Sequence, residues 1–250
     1  MDWSPVVISL KTAAVSMVIT FLLGVWAAGR VAMAKSPGCK AVVDGLLTLP
    51  MVLPPTVAGF FLLLIFGVKR PLGRMFLEIF GVKLVFSWAA AVITATAISF
   101  PLMYRAARGA FEQVDQNLIH AARTLGLGER RIFWAVIMPN AMPGVLSGAI
   151  LAFARGLGEF GATSMLAGNI AGETRTLPLA IYSEVAAGSF KTAYPYVWII
   201  VAISFAAVAV MNALAAPRGQ KGRGKRRIRR FGWLEKDKPG EKGHESSGRD

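Results

Sequence analysis

Cysteine and histidine are almost missing from this chain. A single cysteine, Cys39, in 250 residues excludes an internal disulfide, and neither His120 nor His244 stands in a metal-binding cluster. Redox and metal chemistry therefore have almost no material. Acidic residues are also scarce, 14 against 28 Lys and Arg, and the long apolar runs hold no His and almost no carboxylate. An integral-membrane enzyme needs a nucleophile, an acid and a base, or metal ligands, converging on one point. That class is a remote alternative here.

What the chain has in abundance is apolar surface. Hydrophobic residues make up 54% and charged residues only 17%, with a mean hydropathy of +0.52, which is too apolar for a soluble domain of this size. Uncharged runs lie between Lys11 and Arg30, Asp44 and Lys69, Lys83 and Arg105, Arg131 and Arg155, and Lys191 and Arg218, each of at least 18 residues. Roughly 20 apolar residues at about 1.5 Å each cross a hydrocarbon core of about 30 Å. The pattern predicts an all-α polytopic membrane protein with five transmembrane helices, near 6–29, 45–68, 84–104, 132–154 and 194–216. The first run is longer than the core of a cleaved signal peptide, about 7–15 residues, and is read as a helix.

Five spans put the two ends on opposite sides. The 30–44 loop, the 105–131 loop and the tail from Arg218 together hold 20 Lys and Arg, and the opposite side holds 8. The positive-inside rule then sets the N-terminus outside and the C-terminus in the cytoplasm. Most of that excess comes from the tail, so the orientation calls for independent support. Residues 217–250 are rich in Gly and charge without an apolar stripe, and read as a disordered or membrane-surface tail outside a transmembrane domain of residues 1–216. Its basic cluster suits anionic lipid. Gly219 to Lys225 fits the spacing of a phosphate-binding loop, but Arg226 follows where Ser or Thr is required and no strand precedes it. Nucleic-acid binding has only net charge in its favour.

One polar stretch, HAARTLGLGERRIFWAVIMP at 120–139, interrupts the oily sequence. A helical piece ends near Leu125, Gly126 and Gly128 allow a turn, and a second amphipathic piece runs to Pro139. Ala121, Ala122 and Gly126 are small enough for another surface to approach, while Arg123, Arg130 and Arg131 keep the loop in water. The residues alone leave open whether this is a docking element or a surface connector. Two other features also permit two readings. Pro50, Pro54 and Pro55 interrupt the second apolar run, as a pathway-lining break or as a fixed kink. Arg155 and Glu159, four apart, read first as a satisfied pair on one helical face, with a gate or substrate contact open as well. Gly144, Gly148, Gly156 and Gly158 would permit close helix packing.

The stretch resembles the cytoplasmic loop of ABC importer permeases, in which Glu-Ala-Ala is followed by Gly four positions after the second Ala and by an apolar-x-Leu-Pro ending. Here the corresponding residues are His120, Ala121, Ala122, Gly126, Val136, Met138 and Pro139, with Gly128 in the same turn. His120 stands where Glu is usual and Met138 where Leu is usual. LPMVLPPTVAGFFLL at 49–63, SFPLMYRAARGAFEQVD at 99–115, LAFARGLGEFGATSMLAGN at 151–169 and GETRTLPLAIY at 172–182 narrow the resemblance to the molybdate permeases, with sulfate and tungstate permeases close by. It spans roughly residues 5–215 and excludes the tail.

This resemblance implies a permease fold with a coupling helix-turn-helix at about 112–139 on the cytoplasmic side of a bacterial inner membrane. It implies a permease homodimer, two ATP-binding subunits that carry the ATP and Mg, an external binding protein, and no cofactor on this chain. Transport of molybdate, or of sulfate, thiosulfate or tungstate, would follow from alternating access driven by those partners. It also favours the pathway reading of the proline break. A tetrahedral dianion must cross without being trapped, so the expected lining is hydroxyl and amide groups: Thr48, Thr56, Ser147 and Thr163, with Arg155 and Glu159 as gate candidates.

Overall fold

The computed structural model describes residues 2–33 and 36–215 of the chain. Among them there are helices and connecting turns and no strands. In chain order these are α1 (Ser4–Ala32), α2 (Pro37–Val52), α3 (Pro55–Phe66), α4 (Pro71–Phe80), α5 (Trp88–Glu112), α6 (Gln116–Thr124), α7 (Glu129–Ile132), a π-helical turn (Phe133–Ile137), α8 (Met138–Leu157), α9 (Gly161–Leu166), α10 (Leu177–Ala186) and α11 (Phe190–Ala215). Proline begins half of them: Pro5, Pro37, Pro55, Pro71, Pro139 and Pro178 stand in the first or second position of α1, α2, α3, α4, α8 and α10. At a free helix start its missing N–H costs nothing and its fixed φ suits the helix; Pro139 differs, because the π-helical turn runs directly into α8 ahead of it. The basic tail, 217–250, lies outside the described residues.

Four helical stretches are long and apolar enough to cross a membrane: α1, α5, α7 through α8, and α11. The fifth crossing is α2 with α3, which are bent by 111° about Leu53 and Pro54. At its start Lys40 donates to Glu112 at 2.8 Å, and at its end Leu62, Leu63 and Phe66 pack with Val85, Ala90 and Ala91. Glu112 and Ala90 stand 22 residues apart on α5, about 33 Å of helix. The bent pair thus runs from one face of the bundle to the other and is one broken span. The break belongs to Pro54 and Pro55 alone. A residue before proline is driven out of the α region, and Leu53 (ψ 142°) and Pro54 (ψ 137°) are both extended. Pro50, expected to contribute to the interruption, instead lies inside an unbroken α2.

The core is a three-helix pillar of α1, α5 and α8, packed through small residues. Ala13, Ser16, Thr20, Gly24 and Ala28 recur every three or four positions along α1 and are all buried. A Cβ on Gly24 would meet the Met103 Cγ at 2.7 Å, and on α8 a Cβ on Gly144 or Gly148 would meet Ala110 or Ala106 at 2.8 or 2.4 Å. These glycines bring the backbones together, and the Thr20 and Ser99 hydroxyls, 3.2 Å apart, bond across α1 and α5. Gly158, expected in the same role, caps the C-terminus of α8, and a Cβ there would meet only its own helix, at the Ala154 carbonyl.

Outside the pillar the helices are held at one end of α5. Ser9 accepts from the Leu177 amide at 2.6 Å, pinning α10 to α1, and the Tyr196 hydroxyl donates to the Asp2 carbonyl at 2.8 Å. The Trp88 indole N–H donates to Thr12 at 2.9 Å, under the Lys11 ammonium at 4.2 Å from the ring centroid. Between the second and third crossings, α4 carries Leu72, Met75 and Ile79 exposed along one stripe with Arg70, Arg74 and Glu78 elsewhere around it. That is the pattern of a helix lying in a membrane interface.

The packing makes two identical substitutions differ in sign. Gly148→Ala should lower the thermal midpoint of the detergent-purified protein by an amount corresponding to about 1–3 kcal/mol of overpacking. Gly45→Ala, in α2 where a Cβ meets nothing within 4 Å, should raise or preserve it, because alanine is the better helix former by about 0.5–1 kcal/mol. Equal midpoints for the two variants would contradict the pillar.

Candidate functional site

The polar stretch folds as a bracket at the Glu112 end of α5. Asp115 caps α6 by accepting from the Asn117 amide at 2.9 Å. Gly126, at φ +79°, takes the left-handed conformation that ends the helix, while the Leu127 amide donates back to the Ala122 carbonyl at 3.2 Å. Across the turn Arg123 grips Glu129 with two bonds, 2.8 and 3.2 Å, which raises the guanidinium pKa above its ordinary value. Gly128, expected to share the special turn conformation, has an ordinary extended backbone as the cap of α7.

The bracket shares its core with the bundle. Ile119, Ala122, Ile132 and Phe133 are buried in one cluster with Phe111, Met103 and Val145. The Phe111 and Phe133 rings meet edge to face at 5.2 Å. Ala122 therefore faces this chain's own core and not an approaching partner, a correction to the expectation. Leu118, Ala121 and Leu125 form the outward stripe, with Leu125 80% exposed. Their spacing of three and four was readable in the sequence, but the attention drawn by small residues passed over the leucines. His120 and Gly126 are exposed, Val136 is half-buried, Met138 is buried and Pro139 is exposed.

From Phe133 to Ile137 the helix widens by one residue, and the Met138 amide bonds the Phe133 carbonyl five positions back. Pro139 lacks the N–H that the Ala135 carbonyl would otherwise receive, so the ladder is already short of a donor where the π turn forms. The bracket continues through this turn into α8 without a break.

The other candidates fall in two places. At the bracket end, Asp44 accepts the Tyr104 hydroxyl at 2.9 Å and pairs with Arg108, which also pairs with Glu112 at 3.0 Å. With Lys40 this makes a chain of charges fastening α2 to α5. Sequence reasoning missed it, because Asp44 served only to mark the start of one apolar run and Arg108 lay beyond the Arg105 that ended another. Towards the other end two helix breaks meet. A Cβ on Gly161, at the start of α9, would lie 3.1 Å from Pro55 and 3.3 Å from Thr56, at the start of α3.

Glu159 is 1% exposed and fully engaged, with Arg155 at 2.8 Å and the Ala162 amide at 2.8 Å. Thr163 is buried against the Thr94 hydroxyl at 3.1 Å, Thr48 bonds the Asp44 carbonyl at 2.7 Å and Ser147 bonds the Pro143 carbonyl at 2.9 Å. Thr56 is exposed beside the break. The expected hydroxyls thus do not converge on one point. Three are engaged within the chain.

Residues 20–216 match the family described as the inner membrane component of binding-protein-dependent transport systems. The chain is 44% identical over 184 residues to the molybdenum transport system permease protein ModB of Escherichia coli (strain K12), covering 74% of this chain and 80% of that protein. It is 42% identical over 203 residues to the putative molybdenum transport system permease protein YvgM of Bacillus subtilis (strain 168), covering 81% and 89%. Among solved structures, a chain of an inward-facing MetNI methionine ABC transporter superposes with a TM-score of 0.64 at 18% identity over 86% of this chain and 97% of that one. A chain of a bacterial alginate ABC transporter gives 0.67 at 12% identity over 85% and 77%. These two share the fold. The sequence match over most of the chain decides the rest: this is a transport component and not an enzyme, and it belongs to the family of inner membrane components of binding-protein-dependent transport systems.

Proposed function

We propose that this chain is the permease subunit through which an ATP-driven importer carries molybdate across a bacterial inner membrane. The observation that carries the reading is the identity of 42–44% to molybdenum transport permeases over most of both chains. In this reading residues 1–216 form the membrane domain and work as a homodimer on two ATP-binding subunits, which hold the ATP and Mg, and an external binding protein delivers the anion. The N-terminus is outside and the bracket is cytoplasmic, as is the basic tail at 217–250.

The bracket is then the coupling element, with Leu118, Ala121 and Leu125 as its contact stripe, His120 exposed on α6 beside them, and Gly126 and Gly128 at the turn. Ala122, Val136, Met138 and Pro139 carry its motion inward, Ala122 and Met138 from within the shared core. Closure of the ATPases on ATP would draw the two brackets together, and each α5–α8 pair would tilt with its bracket because the bracket shares their buried core and runs into α8 without a break. The paired breaks at Pro54–Thr56 and Gly158–Gly161 supply compliance beside the pathway, while Arg155 and Glu159 keep the second break in shape. An ion path needs favourable but weak contacts. Thr56, exposed beside the break, offers a hydroxyl contact of that kind to a dianion that must leave again.

The transport reading is tested with the complete transporter in proteoliposomes, ATP inside and loaded binding protein outside. Labelled molybdate should accumulate, and excess sulfate or tungstate should compete according to the binding protein's own affinities. No accumulation of any oxyanion would refute it.

Docking makes a sharper prediction. Leu118→Asp with Leu125→Asp should leave the permease folded but reduce co-purification of the ATPase at least tenfold. Ala122→Trp should instead lower the permease's own thermal midpoint. Normal ATPase recovery with the leucine pair would remove the stripe from the interface.

Orientation is read by the lone thiol. Cys39 is exposed beside the charge chain, so an impermeant maleimide should label it in inverted vesicles and leave it unmodified in sealed spheroplasts. Labelling in spheroplasts would reverse the orientation.

A further inference from the structure

A groove of about 630 Å³ opens on the side of the bundle where α1 meets the root of the bracket. Its walls are apolar, with Phe21, Leu22 and Val25 on one side and the Phe133 ring on the other, packed against Gly29, where a Cβ would stand only 3.0 Å from that ring. At its end sit two arginines, Arg30 and Arg130, from different helices. Neither is in an ion pair among the described residues. Trp26 and Trp134 flank the groove, 62% and 65% exposed, and the Arg30 guanidinium lies 5.2 Å from the Trp26 ring.

The arrangement sorts chemistry by depth. Phe21 is nine residues before Arg30, about 13 Å along α1, so the apolar walls run into the hydrocarbon while the arginines reach the level of the bracket. Exposed tryptophans at that level mark a membrane–water interface. An occupant must be apolar at one end and anionic at the other. A free anion has no use for the walls, and a soluble partner has no access to them.

We infer that the groove holds one anionic phospholipid, its phosphate between Arg30 and Arg130 and an acyl chain along Phe21, Leu22 and Val25. The site's two arginines come from α1 and α7. It ties α1 to the root of the bracket, so its occupancy would steady that root whatever anion is carried.

The test uses the full transporter, ATPase subunits included, in nanodiscs containing brominated phosphatidylglycerol or brominated phosphatidylcholine. Bromine quenches tryptophan at contact, and the signal of Trp134 is the difference between the native protein and Trp134→Phe. Half-quenching of Trp134 should need roughly 25-fold less phosphatidylglycerol than phosphatidylcholine, two cations at about fivefold each. Arg30→Gln with Arg130→Gln should abolish the preference, and Arg30→Lys with Arg130→Lys should keep most of it. Neutralising Arg226, Arg227, Arg229 and Arg230 to Gln should leave it intact. Equal quenching by the two lipids, a preference that survives the double glutamine variant, or one that disappears with the tail charges would overturn the inference. So would a Trp134 that neither lipid quenches, since the groove would then be covered by protein. The outcome stands apart from the molybdate reading, because no transported anion enters the measurement.

Discussion

Close approach of three helix backbones is the constraint on which the rest of this molecule depends. Lipid chains are as apolar as leucine, so helices in a membrane gain little from hiding apolar side chains and must rely on packing and hydrogen bonds. The pillar meets that demand with glycines and alanines. Gly24 lies against Met103, Gly144 against Ala110 and Gly148 against Ala106, at separations that leave no room for a methyl group. The same closeness makes the pillar stiff. α1, α5 and α8 share one cluster of buried residues that extends unbroken to Ile119 and Phe133 of the bracket.

Stiffness in one place gives meaning to breaks in another. The bundle has two interrupted elements, α2–α3 and α8–α9, and their interruptions touch at Pro55, Thr56 and Gly161. The nearer end of α2 is clamped to α5 by Asp44, Arg108, Glu112 and Lys40. A force applied at the bracket would therefore move α5, α8 and the root of α2 as one body and be taken up at the two breaks. Bistable packing of this kind, with a hinge of a few residues, is a known route from a small displacement to a large one. The energy must come from the partner ATPases that the family's transport systems imply.

Much of the architecture could be read without coordinates. Long uncharged runs announced the crossings, and Pro54–Pro55 announced the broken one. Charge misled in one place: Arg105 ended the third apolar run in the sequence, yet α5 continues to Glu112, with Arg108 paired to Asp44 and Glu112 on the way. The helices α4, α9 and α10 lie outside the five long apolar runs from which the crossings were read. In the bracket the residue pattern located the element and its turn but not its faces. Ala122 lies inside because the α6 axis is set by Ile119, and that orientation comes from tertiary packing. The hydroxyls expected to line a pathway show the same limit. Composition cannot tell a threonine that faces a pathway from one that bonds its own helix, as Thr48 does.

If the bracket is the coupling element, ATPase motion reaches the membrane helices through the core that the bracket shares with α5 and α8. The most direct measurement is the ratio of molybdate imported to ATP hydrolysed by reconstituted transporter, native and Phe133→Ala. Phe133 is buried and touches Gly29, Phe111 and Trp134 without belonging to the outward stripe. The ATPase should still dock on the variant and hydrolyse ATP at a comparable rate, while import per ATP falls at least fivefold. An unchanged ratio, with docking and hydrolysis intact, would contradict transmission through the shared core.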